Sequence, residues 1–157
     1  MQAQTINKLT PSTFSILIVE DDLPFAIELD MLIREIGYQV KGRVDNSAEA
    51  LDIILADSPD LVLMDIQIKG RLSGLEIAEK VKASNIPFLF ISSIEEKATY
   101  DRARATNFIG YLVKPISKFS IRTAIELAIK NISGKNHVVG SKVEAYSNND
   151  FLYYKKK

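Results

Sequence analysis

The chain has no cysteine and a single histidine, His137, among its 157 residues. Without cysteine it can form neither a disulfide framework nor a thiolate zinc site, and it offers no thiol nucleophile. The N-terminus is polar, and no apolar run approaches the roughly 20 residues of a membrane span. Basic and acidic residues number 20 each, so no global field favours nucleic acid or a membrane. These absences predict a cytoplasmic protein with no membrane partner.

Short apolar runs without polar alternation recur along the chain, each bounded by turn residues. Runs of this kind suit strands that are buried on both faces of a parallel sheet. They lie at Ile16 to Val19, Leu61 to Met64, Phe88 to Ile91 and Tyr111 to Val113, with a weaker one at Tyr38 to Val44.

Helical patterns fill the segments between these runs. Apolar residues at helical spacing end at Ile36, and Gly37 suits a C-terminal cap. Asn46 followed by Glu49 predicts an N-terminal cap. Three further helices are expected near Leu75 to Val81, in the polar segment Glu95 to Ala105, and from Ser117 to Ile132.

Five strands that alternate with five helices over about 120 residues predict a doubly wound α/β domain with right-handed crossovers. In such a sheet the functional crevice lies beyond the carboxyl ends of the strands. Glu20 and Asp21 follow the first run, Asp65 the third, Ser92 the fourth and Lys114 the last. We therefore expect these side chains to share one crevice.

The turn after the first strand lacks the glycines of a dinucleotide site. It is Glu20-Asp21-Asp22-Leu23-Pro24 instead. Acidic groups repel phosphate and attract cations, and oxygen ligands without histidine or cysteine suit Mg²⁺ or Mn²⁺ rather than zinc. Helix capping is the alternative role for these acids, because a helix N-terminus favours negative charge, and we assign Asp22 to it.

Asp65 is a candidate nucleophile, since a carboxylate can accept a phosphoryl group as an acyl phosphate. Alone, an aspartate at a strand end is as often a simple turn former. The Ser92 hydroxyl could bond one phosphoryl oxygen and the Lys114 ammonium could neutralise another. Each also has an ordinary interpretation, as a turn serine and a solvated lysine. Their joint placement is what favours phosphoryl chemistry.

These segments closely resemble the receiver domain of two-component response regulators over roughly Ser15 to Ile132. The matching motifs are Ile16 to Asp22, Met64-Asp65-Ile66, Ile91-Ser92-Ser93 and Gly110 to Pro115. The resemblance implies a receiver domain at residues 14–133 with the flavodoxin-like strand order 2-1-3-4-5.

The resemblance also implies a role for each site residue. Asp65 would be the phosphoacceptor, and Glu20, Asp21 and the backbone carbonyl of Gln67 would join it in holding Mg²⁺, with Mn²⁺ as a substitute. Ser92 would be the switch hydroxyl and would move towards the phosphoryl group, while Tyr111 would turn into the space it leaves. Lys114 would pair with the phosphoryl oxygens and precede a cis proline, Pro115.

A signalling switch of this family accepts its phosphoryl group from a sensor histidine kinase or a phosphotransfer protein, and is not an enzyme beyond assisting its own phosphorylation and slow dephosphorylation. The surface that responds would run from about Glu95 to Lys130, comprising the fourth helix, fifth strand and fifth helix, and could support a homodimer.

Two other functions stay open. A phosphatase of the haloacid-dehalogenase type also uses a strand-end aspartate, but it generally needs a second aspartate two residues later, where this chain has Gln67. A degenerate receiver that only binds proteins is disfavoured by the complete set of acids with Ser92 and Lys114. One departure from the family is the loop Ile68 to Gly74, which is one residue longer than the commonest form and whose conformation the sequence leaves open.

Residues 134–157 differ from the rest in composition. Ser133 to Lys142 resembles a linker, whereas Phe151 to Tyr154 is an aromatic, strand-like run. That run is similar to the opening strand of a LytTR-type DNA-binding domain, so the tail could begin a truncated output domain, with DNA a partner only if that domain follows. His137 is interpreted as a linker residue.

Overall fold

The computed structural model describes residues 13–133 and, as backbone alone, two short strands beyond them. Strands and helices alternate along residues 13–133. The strands are β1 (Ser15–Val19), β2 (Gln39–Val44), β3 (Leu61–Asp65), β4 (Phe88–Ser92) and β5 (Phe108–Val113). The helices are α1 (Leu23–Glu35), α2 (Ser47–Asp57), α3 (Gly74–Lys80), α4 (Lys97–Arg104) and α5 (Lys118–Ser133), with a 3₁₀ turn at Lys82–Ser84.

The five strands form one parallel sheet in the order β2-β1-β3-β4-β5. Strand order therefore reverses at β1 and β3, whose carboxyl ends lie next to each other. This confirms the doubly wound fold with order 2-1-3-4-5, and it places the expected crevice beyond Val19 and Asp65.

The central strands are apolar throughout because both of their faces are buried. In β1, Ile16 and Ile18 pack in the layer beneath α1 and α5, whereas Leu17 and Val19 pack in the layer beneath α2, α3 and α4. The same division runs through β3 and β4. Unbroken apolar runs are the sequence counterpart of two apolar layers on one sheet.

Local capping explains where several helices begin and end. The side chain of Asp22 accepts a hydrogen bond from the Phe25 amide at the start of α1, and that of Asn46 accepts one from the Glu49 amide at the start of α2. Gly37, just past α1, has a positive φ of 96°, which only glycine adopts without strain. The predicted caps at Asp22, Gly37 and Asn46 are confirmed.

Beyond α5, Ser141–Glu144 (β6) pairs antiparallel with Tyr153–Lys156 (β7). The sequence predicts a linker up to Lys142 and one strand near Phe151, so β6 is an addition to the prediction. His137, Phe151 and Leu152 lie outside the described residues. In the part of the chain that is described, no helix is both long and apolar enough to span a membrane.

Candidate functional site

Four charged side chains meet where β1, β3 and β5 end, and we call Glu20, Asp21, Asp65 and Lys114 the ionic centre. The Lys114 ammonium donates to Glu20 Oε2 at 2.8 Å and to Asp65 Oδ2 at 3.0 Å. Glu20 and Asp65 are 3% and 5% exposed. Three chain segments that are distant in sequence thus bring one cation between two buried carboxylates, as their positions at strand ends predict.

Main-chain amides hold the other oxygens of these two carboxylates. The Asp22 amide donates to Glu20 Oε1 at 2.9 Å, and the Gln67 amide donates to Asp65 Oδ1 at 2.9 Å. Both bonds link residues two apart, so each acid is fixed by its own turn. The carboxylates are therefore oriented before any phosphoryl group or metal arrives.

Burial and pairing act in opposite directions on the ionic centre. Burial raises the pKa of Glu20, and the nearby Asp65 charge adds to this, while the bonds from Lys114 and the Asp22 amide oppose them; the net pKa is raised. Burial alone would lower the pKa of Lys114, but its bonds to Glu20 and Asp65 and their charges outweigh it, so the pKa of Lys114 is raised. Lys114 therefore stays cationic at neutral pH.

The acids of the ionic centre fit a hard divalent cation. Glu20, Asp21 and Asp65 each offer a carboxylate oxygen within 4.8 Å of the other two. Lys114 pairs with two of these three carboxylates. The ligand atoms are all oxygen, which is the preference of Mg²⁺ and Mn²⁺. The bond from the Gln67 amide to Asp65 places that peptide beside the acids, and the metal role of its carbonyl stays a prediction.

The loop after Asp65 is docked onto the start of α2. The Ser47 amide donates to the Lys69 carbonyl at 2.9 Å, and the Leu72 amide donates to Ser47 Oγ at 3.3 Å. Asn46 and Lys69 also form a parallel bridge. Since β1 lies between β2 and β3 in the sheet, these contacts join its two neighbours just past its end. They give the loop after Asp65 a defined conformation.

Gly70 makes this docking sterically feasible. Its φ is 112°, and a Cβ at this position would overlap Ser47 Oγ and crowd the Ser47 backbone. Ser47 itself is buried. Gly70 therefore lets the loop backbone approach α2 closely.

Ser92 and Tyr111 lie behind the ionic centre and are joined through the backbone of Ile94. The Ile94 amide donates to Ser92 Oγ at 3.1 Å, and the Tyr111 hydroxyl donates to the Ile94 carbonyl at 2.7 Å. Ser92 is fully buried, and Tyr111 is 2% exposed. Burial raises the pKa of the Tyr111 hydroxyl, and the nearby Ser92 hydroxyl partly offsets this. The Tyr111 side chain is thus turned inward.

Tyr111 belongs to a group of neighbouring rings that we call the aromatic cluster: Phe90, Tyr100, Phe108 and Tyr111. The Tyr100 ring meets the Tyr111 ring edge to face at 5.8 Å and the Phe108 ring at 5.7 Å. Phe90 lies 6.4 Å from both Phe108 and Tyr111. Tyr100 is on α4, so the cluster links β5 to the helix of the polar segment Glu95 to Ala105.

Glu20, Asp21, Asp65, Ser92 and Lys114 lie at or just past the carboxyl ends of their strands, whereas Tyr111 lies inside β5, beside Phe90 of β4. Asp22 is confirmed as a helix cap, and the Lys114–Pro115 bond is cis. Sequence reasoning missed Phe25, whose ring faces Lys114, and Ser47. Helical spacing makes Phe25 resemble any core phenylalanine, although its place in the turn after the acidic run could have drawn attention to it.

Comparison with known proteins agrees with this geometry. Residues 16–126 match the family model described as response regulator receiver domain. The chain is 31% identical over 113 residues to sporulation initiation phosphotransferase F of Bacillus subtilis, an alignment that covers 71% of this chain and 90% of that protein.

A second curated relative is the transcriptional regulatory protein PdtaR of Mycobacterium tuberculosis, 32% identical over 115 residues, covering 73% of this chain and 56% of PdtaR. The chain thus spans about half the length of PdtaR. Among solved structures, the signal receiver domain of a modulated diguanylate cyclase from Desulfovibrio desulfuricans is 36% identical with a TM-score of 0.69, covering 77% of this chain and 97% of that one.

Proposed function

The chain belongs to the response regulator receiver family, and we propose that Asp65 is the residue through which this phosphoryl-accepting signalling switch is phosphorylated. The observation that carries the proposal is the pairing of Asp65 with Lys114 at 3.0 Å inside a buried acidic cluster. Among the acids of this cluster, Asp65 ends the central strand β3 and has its second oxygen fixed by the Gln67 amide.

The transfer needs little covalent chemistry from the protein. An Asp65 oxygen would attack the phosphorus of a phosphohistidine, the new O–P bond forming as the N–P bond breaks and the imidazole nitrogen keeping the electron pair. Lys114 would neutralise a phosphoryl oxygen, and the peptide amides would hold the two carboxylates in place. A bound Mg²⁺ would be held by Glu20, Asp21 and Asp65 and would supply positive charge towards the transferred group.

The phosphodonor would be a sensor histidine kinase or a phosphotransfer protein. An exposed apolar stripe on α1 starts beside the ionic centre and supports a docking surface there. Leu23 is 61% exposed and Met31 67%, with Ile27 between them at helical spacing. Exposed apolar residues that line up on one helix face suit contact with another protein, and we propose this stripe as part of the donor's docking site.

The effect of phosphorylation would reach the surface of the domain through the aromatic cluster. If Ser92 Oγ turns towards a phosphoryl group, it must release the Ile94 amide, and Ile94 is also what the Tyr111 hydroxyl bonds. The surface formed by α4, β5 and α5 would then be the one that changes, and we propose it for a homodimer or another target. DNA would be a partner only through an output domain, and the cytoplasmic location likewise stays a prediction.

Slow hydrolysis of the acyl phosphate is expected, whereas turnover as a phosphatase is not. The second aspartate of the haloacid-dehalogenase mechanism would stand where Gln67 is, and Gln67 contributes its main-chain amide to Asp65. An amide side chain cannot serve as a general acid there.

Acetyl phosphate with Mg²⁺ tests the proposal without a kinase. We expect one phosphoryl group per chain, mapped by borohydride trapping and peptide mass spectrometry to Asp65, and none in Asp65→Asn. Asp60→Asn is the matched control, because Asp60 is a partly buried aspartate that bonds Ser15 at the opposite edge of the sheet. Phosphate uptake by Asp65→Asn equal to that of Asp60→Asn would refute the assignment.

A further inference from the structure

The ring of Phe25 lies against the Lys114 ammonium, in addition to the two carboxylates that the ammonium bonds. Lys114 Nζ lies 4.7 Å from the ring centroid, inside the range of about 6 Å for an attractive cation–π contact. An ammonium has three N–H groups, and two of those on Lys114 point to Glu20 and Asp65. Phe25 is therefore a third neighbour of this cation beside the two carboxylates.

The local structure fixes where the Phe25 ring lies. Phe25 is the third residue of α1, and its amide donates to the capping carboxylate of Asp22 at 3.1 Å. Pro24, in the first turn, restricts the backbone further. The acidic run and the ring are thus parts of one rigid turn, in which Glu20 and Phe25 approach Lys114 from the same segment.

We propose that Phe25 is a positioning residue for phosphoryl transfer, and that its ring face holds the Lys114 ammonium at the place where the phosphoryl oxygens arrive. This rests on the proposed function of Asp65. Lys114 has a long, flexible side chain that is 22% exposed, so two salt bridges alone leave it a choice of conformations once a phosphoryl group competes for the ammonium. A ring against the ammonium removes part of that freedom.

The alternative role for Phe25 is packing, since it also contacts the apolar layer beneath α1 and α5. Packing needs apolar volume, which leucine also supplies. Attraction for the ammonium needs the negative face of an aromatic ring, which leucine lacks and which fluorination weakens step by step while the shape barely changes. The two roles therefore predict different responses to the same substitutions.

The test incorporates mono-, di- and trifluorinated phenylalanine at residue 25 of the full chain, with the same series at Phe119 as control. Phe119 is an exposed phenylalanine at the start of α5. Phe25→Leu and Phe25→Trp complete the set. The readouts are the rate of Asp65 phosphorylation by acetyl phosphate at saturating Mg²⁺, and the NMR shifts of the Lys114 side chain in metal-free protein.

We expect the phosphorylation rate to fall progressively along the series at residue 25, by about threefold to tenfold in total, with a similar loss in Phe25→Leu and recovery in Phe25→Trp. The Lys114 signals should lose their ring-current displacement in Phe25→Leu. Equal rates along the series, or the same change at Phe119, would overturn the proposal, as would unmoved Lys114 signals. Absence of phosphate from Asp65 in the unmodified chain would instead refute the proposed function.

Discussion

The ionic centre and the aromatic cluster are neighbours held together by different forces, and β5 with its following residue contributes to both. Lys114 enters the first and Tyr111 the second, three residues apart. The ionic centre consists of a few charged atoms whose balance an added phosphoryl group or metal changes at once. The aromatic cluster consists of rings whose contacts respond only to a change of shape. A change of charge at the ionic centre must therefore cause a movement of atoms before it can affect the aromatic cluster.

The conversion step in this chain is a short segment of backbone. Ile94 donates to Ser92 on the side of the ionic centre and accepts from Tyr111 on the side of the aromatic cluster. No side-chain bond between the two regions is needed for one to affect the other. The predictions below test whether the two regions depend on the forces assigned to them, from the largest expected effect to the smallest.

Removing the Tyr111 ring should be the most damaging change to stability. Tyr111→Ala leaves a cavity beside the Phe90 and Tyr100 rings and should lower the free energy of unfolding by about 3 to 5 kcal/mol. Tyr111→Phe keeps the ring, leaves the Ile94 carbonyl without its bond, and should cost about 1 to 2 kcal/mol. Urea unfolding measures both. At temperatures where they remain folded, both variants should still accept phosphate at Asp65; loss of uptake in Tyr111→Phe would contradict the division between the two regions.

A methyl group on Gly70 should disturb the docking of the loop after Asp65 on α2, by shape rather than by charge. Gly70→Ala combines a φ of 112° with an overlap on Ser47 Oγ, and we expect a loss of about 2 to 3 kcal/mol that added salt leaves unchanged. Gly42→Ala is the control, since a Cβ there meets only Leu17 Cδ1 at 3.8 Å. If both variants unfold at the same urea concentration, the close contact between Gly70 and Ser47 does not contribute to the stability of the protein.

Removing the Lys114 charge should make the stability of the protein depend more strongly on Mg²⁺. Lys114→Met leaves Glu20 and Asp65 without their common cation, and because Lys114 is partly exposed we expect a loss of only about 1 to 2 kcal/mol. Saturating Mg²⁺ should recover most of it, so the rise in melting temperature with Mg²⁺ should exceed that of the wild type.

The control for this substitution is Lys97→Met, which removes a lysine paired with Asp101 on the surface of α4. Its melting temperature should respond to Mg²⁺ as the wild type does. An equal response in all three proteins would show that Lys114 and the metal do not share the same acids.

The smallest expected effect is on the pH dependence of stability, to which two glutamates should contribute with opposite sign. The pKa of Glu20 is raised above its usual 4.5, so its contribution to stability is fully present below pH 4.5 and is lost as pH rises through its folded pKa. The pKa of Glu76 is lowered by its bonds with Ser73 at the start of α3, so its contribution is present above pH 4.5 and is lost as pH falls through its folded pKa.

Unfolding of wild type, Glu20→Gln and Glu76→Gln in metal-free buffer from acid to neutral pH separates these contributions. The stability difference between wild type and Glu20→Gln should become less favourable to wild type as pH rises, and that for Glu76→Gln should move the other way. Parallel curves would contradict the burial of Glu20 as the dominant cause.

The fold and the charged site could be predicted from the sequence because their signals are local or unusual. A charge at the end of a fully apolar run is rare enough to mark Asp65 and Lys114, and caps such as Asp22 and Asn46 act within three residues. The remaining features depend on distant contacts. Nothing in the sequence near Gly70 indicates Ser47, which lies 23 positions earlier, and the bonds of Ile94 are made by its backbone, so its residue type carries no signal. The inward Tyr111 depends on packing with α4, which the sequence does not specify.

The amide of Ile94 offers the most direct test that charge at Asp65 is converted into movement at the aromatic cluster. Beryllofluoride with Mg²⁺ mimics a phosphoryl group on a carboxylate, and hydrogen exchange followed by NMR reports the bond from the Ile94 amide to Ser92 Oγ. We predict that the Ile94 amide exchanges faster when beryllofluoride is added to the wild type. Its exchange rate should not change in Asp65→Asn, and in Ser92→Ala it should already be fast without beryllofluoride. Unchanged exchange at Ile94 in wild-type protein that has bound beryllofluoride at Asp65 would contradict the account.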